Sequence, residues 1–200
     1  MTTRNPSRAP REGLTWSKIQ RFLALPFRPR LLQTYLAVGK IEDVSPQRLI
    51  ADGVKGVLVD ADGTLGPHQA AVFQESKVRH IKLIADSGLK VAIFTNAAVD
   101  RFQQLPGIPI VGEAPAKPDR RGFESAMKNC LDLDDPASVC MIGDNYLTDG
   151  GAGGAGMRFI YVRPVPGNEN FVHRAFRLYA YLCARWHFPE AFQNLRFPDR

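Results

Sequence analysis

Cysteine is scarce: the 200 residues contain three, Cys130, Cys140 and Cys183, and none has the close pair spacing of a zinc or thiol-redox site. An odd count at this spacing excludes a disulfide framework and points to a reducing, cytosolic setting. Cys140, inside the apolar run "SVCMIG", reads as a small buried hydrophobe. Long hydrophobic runs are missing too. No window approaches the ~18 uncharged apolar residues that a membrane span needs. The first 30 residues lack the apolar segment of a secretory signal, although their Arg-rich, acid-poor composition is shared with transit peptides.

Acid is nearly absent from the N-terminus. Residues 1–30 carry Arg4, Arg8, Arg11, Lys18, Arg21, Arg28 and Arg30 against Glu12 alone, which equals the whole net charge of +6. The centre, 31–167, is slightly acidic, and the tail is basic again through Arg174, Arg177, Arg185, Arg196 and Arg200. A near-neutral body between basic ends suits an anionic partner such as a membrane surface or nucleic acid; solvated ends that aid solubility account for it equally well.

What is present is an alternation of strands and helices. "GVLVD" (56–60), "KVAIFT" (90–95), "IPIV" (108–111), "SVCMIGD" (138–144) and "RFIYV" (158–162) read as buried strands. Residues 71–87, with Val72, Val78, Ile81, Ile84 and Ala85 on one face, and residues 119–131 read as helices. The expected fold class is α/β, a three-layer Rossmann-like parallel sheet with helices on both faces. The chain divides into a basic arm with a short amphipathic segment (1–30), a catalytic domain (31–167), and a C-terminal amphipathic helix and tail (168–200).

In such sheets, ligands sit beyond the carboxyl ends of the strands. Those ends carry "DADGTL" with Asp60 and Asp62, "TN" with Thr95 and Asn96, "AKPD" with Lys117, and "GDNYLTD" with Asp144 and Asp149. Converging carboxylates repel one another, so they would share a hard divalent cation, and oxygen ligands favour Mg²⁺. A lysine and a hydroxyl beside them suit a phosphoryl group, and an aspartate can attack phosphorus. Each word alone has a structural reading as a turn or helix cap. Four in order, each at a strand end, point to one site.

These four words, "VLVDADGTL", "IFTN", "AKP" and "IGDNYLTD", resemble the haloacid dehalogenase superfamily of phosphotransferases. The resemblance implies that Asp60 is the nucleophile and Asp62 the general acid, then base. By the same resemblance, Asp60, the Asp62 carbonyl and Asp144 would hold Mg²⁺, with Asp149 binding it directly or supporting it, and Thr95, Asn96 and Lys117 would hold the phosphoryl oxygens. About thirty residues separate Asp60 from Thr95 and about twenty separate Thr95 from Lys117. The fold's own helices use both intervals, so no cap domain is expected. An uncapped site suits a large or surface-bound substrate, unless a second subunit walls it.

The flanking words "FRPRLLQTYLAVGK" and "YVRPVPGNENFVHRAFRLYA" resemble the phosphatidylglycerophosphate phosphatase branch, except that Gly63 stands where that branch usually has Asn. That branch implies an anionic phospholipid substrate, a membrane surface as partner, no nucleic acid, and a peripheral place on the inner face of a membrane. Two stripes fit a membrane anchor or packing on the domain. One is Trp16, Ile19, Phe22 and Leu23; the other is Val172, Phe176, Tyr179, Leu182, Cys183 and Trp186, with Arg174, Arg177 and Arg185 turned away. The alternatives are a soluble phosphatase for a sugar phosphate or nucleotide, and a non-catalytic membrane adaptor. The histidines do not enlarge the site: His68 lies in the loop after the Asp60 strand, with substrate contact the lesser of its two readings, and His80, His173 and His187 read as surface or interface residues on helices.

The run "GGAGGAG" (150–156) contains a literal G-x-G-x-x-G, but it follows "GDNYLTD" and a strand starts almost at once at Arg158. A dinucleotide fingerprint follows a strand directly and opens a helix. The glycines are expected instead in a short helix packed closely behind the site.

Overall fold

A computed structural model describes residues 22–96, 102–167, 170–193 and 195. The expected Trp16 and Ile19 of the N-terminal stripe lie outside them.

Five strands form one sheet: β1 (Leu36–Val38), β2 (Gly56–Val59), β3 (Lys90–Ile93), β4 (Val139–Gly143) and β5 (Arg158–Val162). Their order is β1-β5-β4-β2-β3, and every neighbouring pair is parallel. The helices are α1 (Pro46–Ala51), α2 (Glu75–Asp86), α3 (Arg120–Leu131), the single turn α4 (Gly151–Gly154) and α5 (Phe171–His187).

The period of two along each strand divides the core. Val57 and Val59 of β2, with Cys140 and Ile142 of β4, pack against Leu49 of α1 and Val78, Ile81 and Ile84 of α2. Leu58, Met141 and Phe159 face the opposite way, onto Phe123, Ala126 and Met127 of α3 and Ala180, Tyr181 and Ala184 of α5. Burying each large side chain contributes roughly 1.5–3 kcal/mol, so both helical layers are needed. The result is the α/β, Rossmann-like, three-layer fold read from the strand pattern, and among the described residues no cap is inserted.

Two expectations are corrected. Residues 108–111 do not form a full strand; they meet the outer side of β3 through one bridge, Ile93 to Ile110. Pro109 has no N–H to extend a ladder, and its carbonyl accepts from Ile93 at 2.8 Å before the chain leaves. The fifth strand is β1, three residues beside β5, too short to display an alternation. Helix α2 begins at Glu75 rather than 71, and Val72 is exposed instead of facing the core. Helix α3 matches its expected span, with the Asp119 side chain accepting from the Arg121 N–H at 2.9 Å as its cap.

The glycine run forms α4, as expected for close packing. A Cβ on Gly151 would stand 2.8 Å from the Pro118 carbonyl oxygen and 2.9 Å from Phe123 Cε2. Replacing Gly151 with Ala is therefore expected to destabilise the protein by about 1–3 kcal/mol, because backbone must move to admit the methyl. Urea denaturation of the variant checks this, with Gly154→Ala as the comparison, since a Cβ there meets nothing within 4 Å.

Candidate active site

The strand order reverses at β2, whose neighbours are β3 on one side and β4 on the other. Such a reversal opens a crevice at the carboxyl edge. Register sets what lines it: Val59 pairs with both Ile93 and Ile142, and the Asp60 N–H donates to the Ile142 carbonyl at 2.9 Å. Asp60 therefore stands level with Phe94 and Gly143, Thr95 and Asp144 follow one residue further along the adjacent strands, and all three polar residues are buried.

Lys117 joins them. Its Nζ donates to Asp60 Oδ1 at 2.6 Å and to Asp149 Oδ1 at 2.5 Å, with all three side chains almost fully buried. The lysine is fixed by its own backbone. The Asn96 side chain accepts from the Lys117 N–H at 2.9 Å and donates to the Lys117 carbonyl at 3.0 Å. Asn96, expected at the phosphoryl oxygens, thus spends both ends of its amide on positioning Lys117. The second oxygen of Asp149 accepts from the Asn145 N–H at 3.1 Å, closing the "GDNYLTD" loop on itself.

Asp60, Asp144 and Asp149 each offer a carboxylate oxygen, and these oxygens lie within 4.8 Å of one another. Hard oxygen donors at this spacing fit a divalent cation of the Mg²⁺ class. Burial pushes the Asp60 carboxyl up to about 7, with the Asp149 charge adding to the effect and Lys117 opposing it. Asp144 is also raised well above the usual carboxylate range by burial and its two acidic neighbours, against the pull of Arg177 and Lys117. For Lys117, burial works toward the neutral form, but the two carboxylates prevail and hold its ammonium above the ordinary value.

Asp62 stands apart from this cluster. Its Oδ1 accepts from the Gln69 N–H at 2.8 Å, and its Oδ2 lies 4.0 Å from His68 Nδ1. His68 is thus beside the second aspartate. Between Asp60 and Asp62 on one side and Asp144 on the other, Gly63 adopts φ +86°, and a Cβ there would overlap the Asp144 carboxylate. The Asn usual at this position in the lipid-phosphatase branch would have to push Asp144 aside.

Two contacts were not legible from the motif words. Arg177 of α5 was expected to point away from the packed face, yet its Nη1 donates to Asp144 Oδ2 at 2.5 Å. The correction follows from helical phase, because α5 docks through Ala180, Tyr181, Cys183 and Ala184, a face that keeps Cys183 of the expected stripe but leaves Val172, Leu182 and Trp186 exposed. One turn before that face, residue 177 reaches inward. Tyr146, fully buried, holds the loop 144–149 against the segment around Thr34: its hydroxyl lies 2.8 Å from Thr34 Oγ1, which itself donates to the Leu32 carbonyl at 2.8 Å. The Tyr146 ring stacks on Tyr161 at a centroid distance of 5.2 Å. His80 and His187 make interface bonds to the Val44 and Pro26 carbonyls, and His173 is exposed.

The raised Asp60 pKa has a signed consequence. In metal-free protein, the folded state keeps a proton that the unfolded state releases from about 3.8 upward, so stability from this group is full below that value and lost as pH rises through about 7. Asp60→Asn removes the dependence. The variant is expected to gain stability relative to wild type between these pH values, read by urea denaturation in chelator.

No family model matches the chain. It is 30% identical over 141 residues to the probable phosphatase YqeG of Bacillus subtilis (strain 168), covering 68% of this chain and 80% of that protein. A crystal structure of an uncharacterized protein from Listeria monocytogenes serotype 4b aligns over 59% of this chain and 85% of its own, with 18% identity and a TM-score of 0.46.

Proposed function

The chain belongs to the family of the Bacillus subtilis probable phosphatase YqeG, and from that premise we propose that it is a metal-dependent phosphatase of the haloacid dehalogenase type acting on phosphatidylglycerophosphate. The observation that carries the chemistry is the buried set of Asp60, Asp144 and Asp149 around Lys117 at the sheet's carboxyl edge.

The reaction divides between two aspartates. An Asp60 carboxylate oxygen bonds to phosphorus as the bond from phosphorus to the leaving oxygen breaks, and Asp62 gives that oxygen its proton. Asp62 then takes a proton from water, whose oxygen attacks phosphorus and frees Asp60 and inorganic phosphate. Lys117 and Thr95 hold the phosphoryl oxygens, with Asn96 acting through the Lys117 backbone. Asp60, the Asp62 carbonyl and Asp144 would hold Mg²⁺, supported by Asp149, and the ion would supply neutralisation of the charge gathered on phosphorus. The His68 ring beside Asp62 is suited to steadying that carboxyl as it changes protonation.

A lipid substrate is supported by the outer face of α5. Phe171, Leu178, Leu182 and Trp186 are exposed there, edged by Arg174 and Arg185. Exposed Leu23 and Phe27 lie in the segment that packs on the same helix, where the Phe22 ring is 4.4 Å from Phe176 and 4.6 Å from Tyr179; Arg28 and Arg30 follow. An apolar face rimmed by arginines suits an anionic lipid surface, to which this protein would bind peripherally. Among the described residues, no helix is long and apolar enough to cross a membrane.

Phosphate release from phosphatidylglycerophosphate in micelles, with Mg²⁺, is expected to exceed release from glycerol phosphate; equal rates on the two would overturn the lipid assignment. Asp60→Asn is expected to lower the rate by about 10³-fold or more, as removal of a covalent nucleophile does. A Leu182→Glu, Trp186→Glu variant is expected to bind phosphatidylglycerol vesicles about tenfold more weakly by co-sedimentation, while keeping its rate on a water-soluble phosphate ester.

A further inference from the structure

We propose that Arg177 is a displaceable counter-cation of the metal site: it holds Asp144 in the metal-free protein and gives up that carboxylate when a divalent cation binds. The inference rests on the metal reading above and adds a residue that lies in none of the four motif words.

The argument begins with charge. With all three buried carboxylates ionised against two cations, Lys117 and Arg177, the group of five carries one negative charge in excess. Lys117 serves Asp60 and Asp149, and Arg177 serves Asp144. A divalent cation drawn to the same carboxylates turns the balance positive in a site shielded from water, and like charges a few ångströms apart repel strongly there. One cation must yield.

The structure distinguishes the two. The Lys117 side chain is 2% exposed, bridges two carboxylates, and has its backbone clamped by Asn96. The Arg177 side chain is 18% exposed and reaches the site's rim from α5, outside the loops that form the pocket. A guanidinium cannot shed its proton, so Arg177 can relieve the repulsion only by moving. Its long side chain can swing toward solvent while α5 stays docked through Ala180, Tyr181, Cys183 and Ala184.

The placement makes the contact more than a helix tether. An arginine serving only to fasten α5 would gain as much from any surface carboxylate, without facing desolvation beside two further acids. Here it stands on an oxygen of a metal-ligating group. Metal occupancy and the hold on the first half of α5 therefore oppose one another, and that opposition is reciprocal.

Calorimetric titration of the full-length, metal-free protein with Mg²⁺ alone, and then Mn²⁺ alone, tests this. Arg177→Met is expected to bind either ion at least about fivefold more tightly than wild type, Arg177→Lys to fall between the two, and Arg174→Met on the exposed side to match wild type. Unchanged or weaker affinity in Arg177→Met overturns the proposal. Hydrogen exchange on wild type needs no variant to fold: amides of residues 171–180 are expected to exchange faster when Mg²⁺ is added. Unchanged or slower exchange there, with metal bound, also overturns it. Failure of wild type to bind either ion would overturn the metal reading itself, and this inference with it.

Discussion

A single buried ammonium holds the site together. Lys117 lies between Asp60 and Asp149 with contacts of 2.6 and 2.5 Å, joining the end of β2 to the loop that follows β4. Three carboxylates this close, and this far from water, cannot all remain ionised without compensation. Burial already lifts Asp60 and Asp144 toward their neutral forms. The lysine limits that drift and leaves Asp60 close to the range where a nucleophilic carboxylate exists at neutral pH.

Everything around Lys117 serves to keep it still. The parallel register brings Asp60 within one residue of the level of Thr95 and Asp144, so the carboxyl ends of β2, β3 and β4 converge. Asn96 then transfers the rigidity of β3 to the lysine's peptide. Gly63 leaves room for Asp144 to come in against the loop 60–62. Each device trades some local freedom for position, and in phosphoryl transfer position and charge are most of what a protein contributes.

The outer elements do more than cover the sheet. Helix α5 buries one face in the core, exposes a second, apolar face rimmed by arginines, and sends Arg177 between them to Asp144. The N-terminal segment reaches the same loop from another side through Thr34 and Tyr146. Among the described residues no cap is inserted, and the elements that reach the site from outside the sheet are the segment around Thr34 and helix α5.

Strand ends and acidic words were legible because both are local. A run of four or five apolar residues leading to Asp identifies a buried strand and its carboxyl edge with no knowledge of what packs on it, and this located Asp60 and Asp144. The glycine run could likewise be separated from a nucleotide cradle by what precedes it. Strand β1 was hidden, since three residues hold too little pattern, and 108–111 looked like a strand until Pro109 met the edge of β3. Arg177 and Tyr146 were hidden for a different reason. Their roles depend on the rotation of α5 about its axis and on a contact across more than a hundred residues, from Thr34 to Tyr146. Composition and spacing dictate which faces of a helix are apolar, whereas only the shape of the surface it meets decides which of them is buried, because packing selects among faces of similar hydrophobicity by fit.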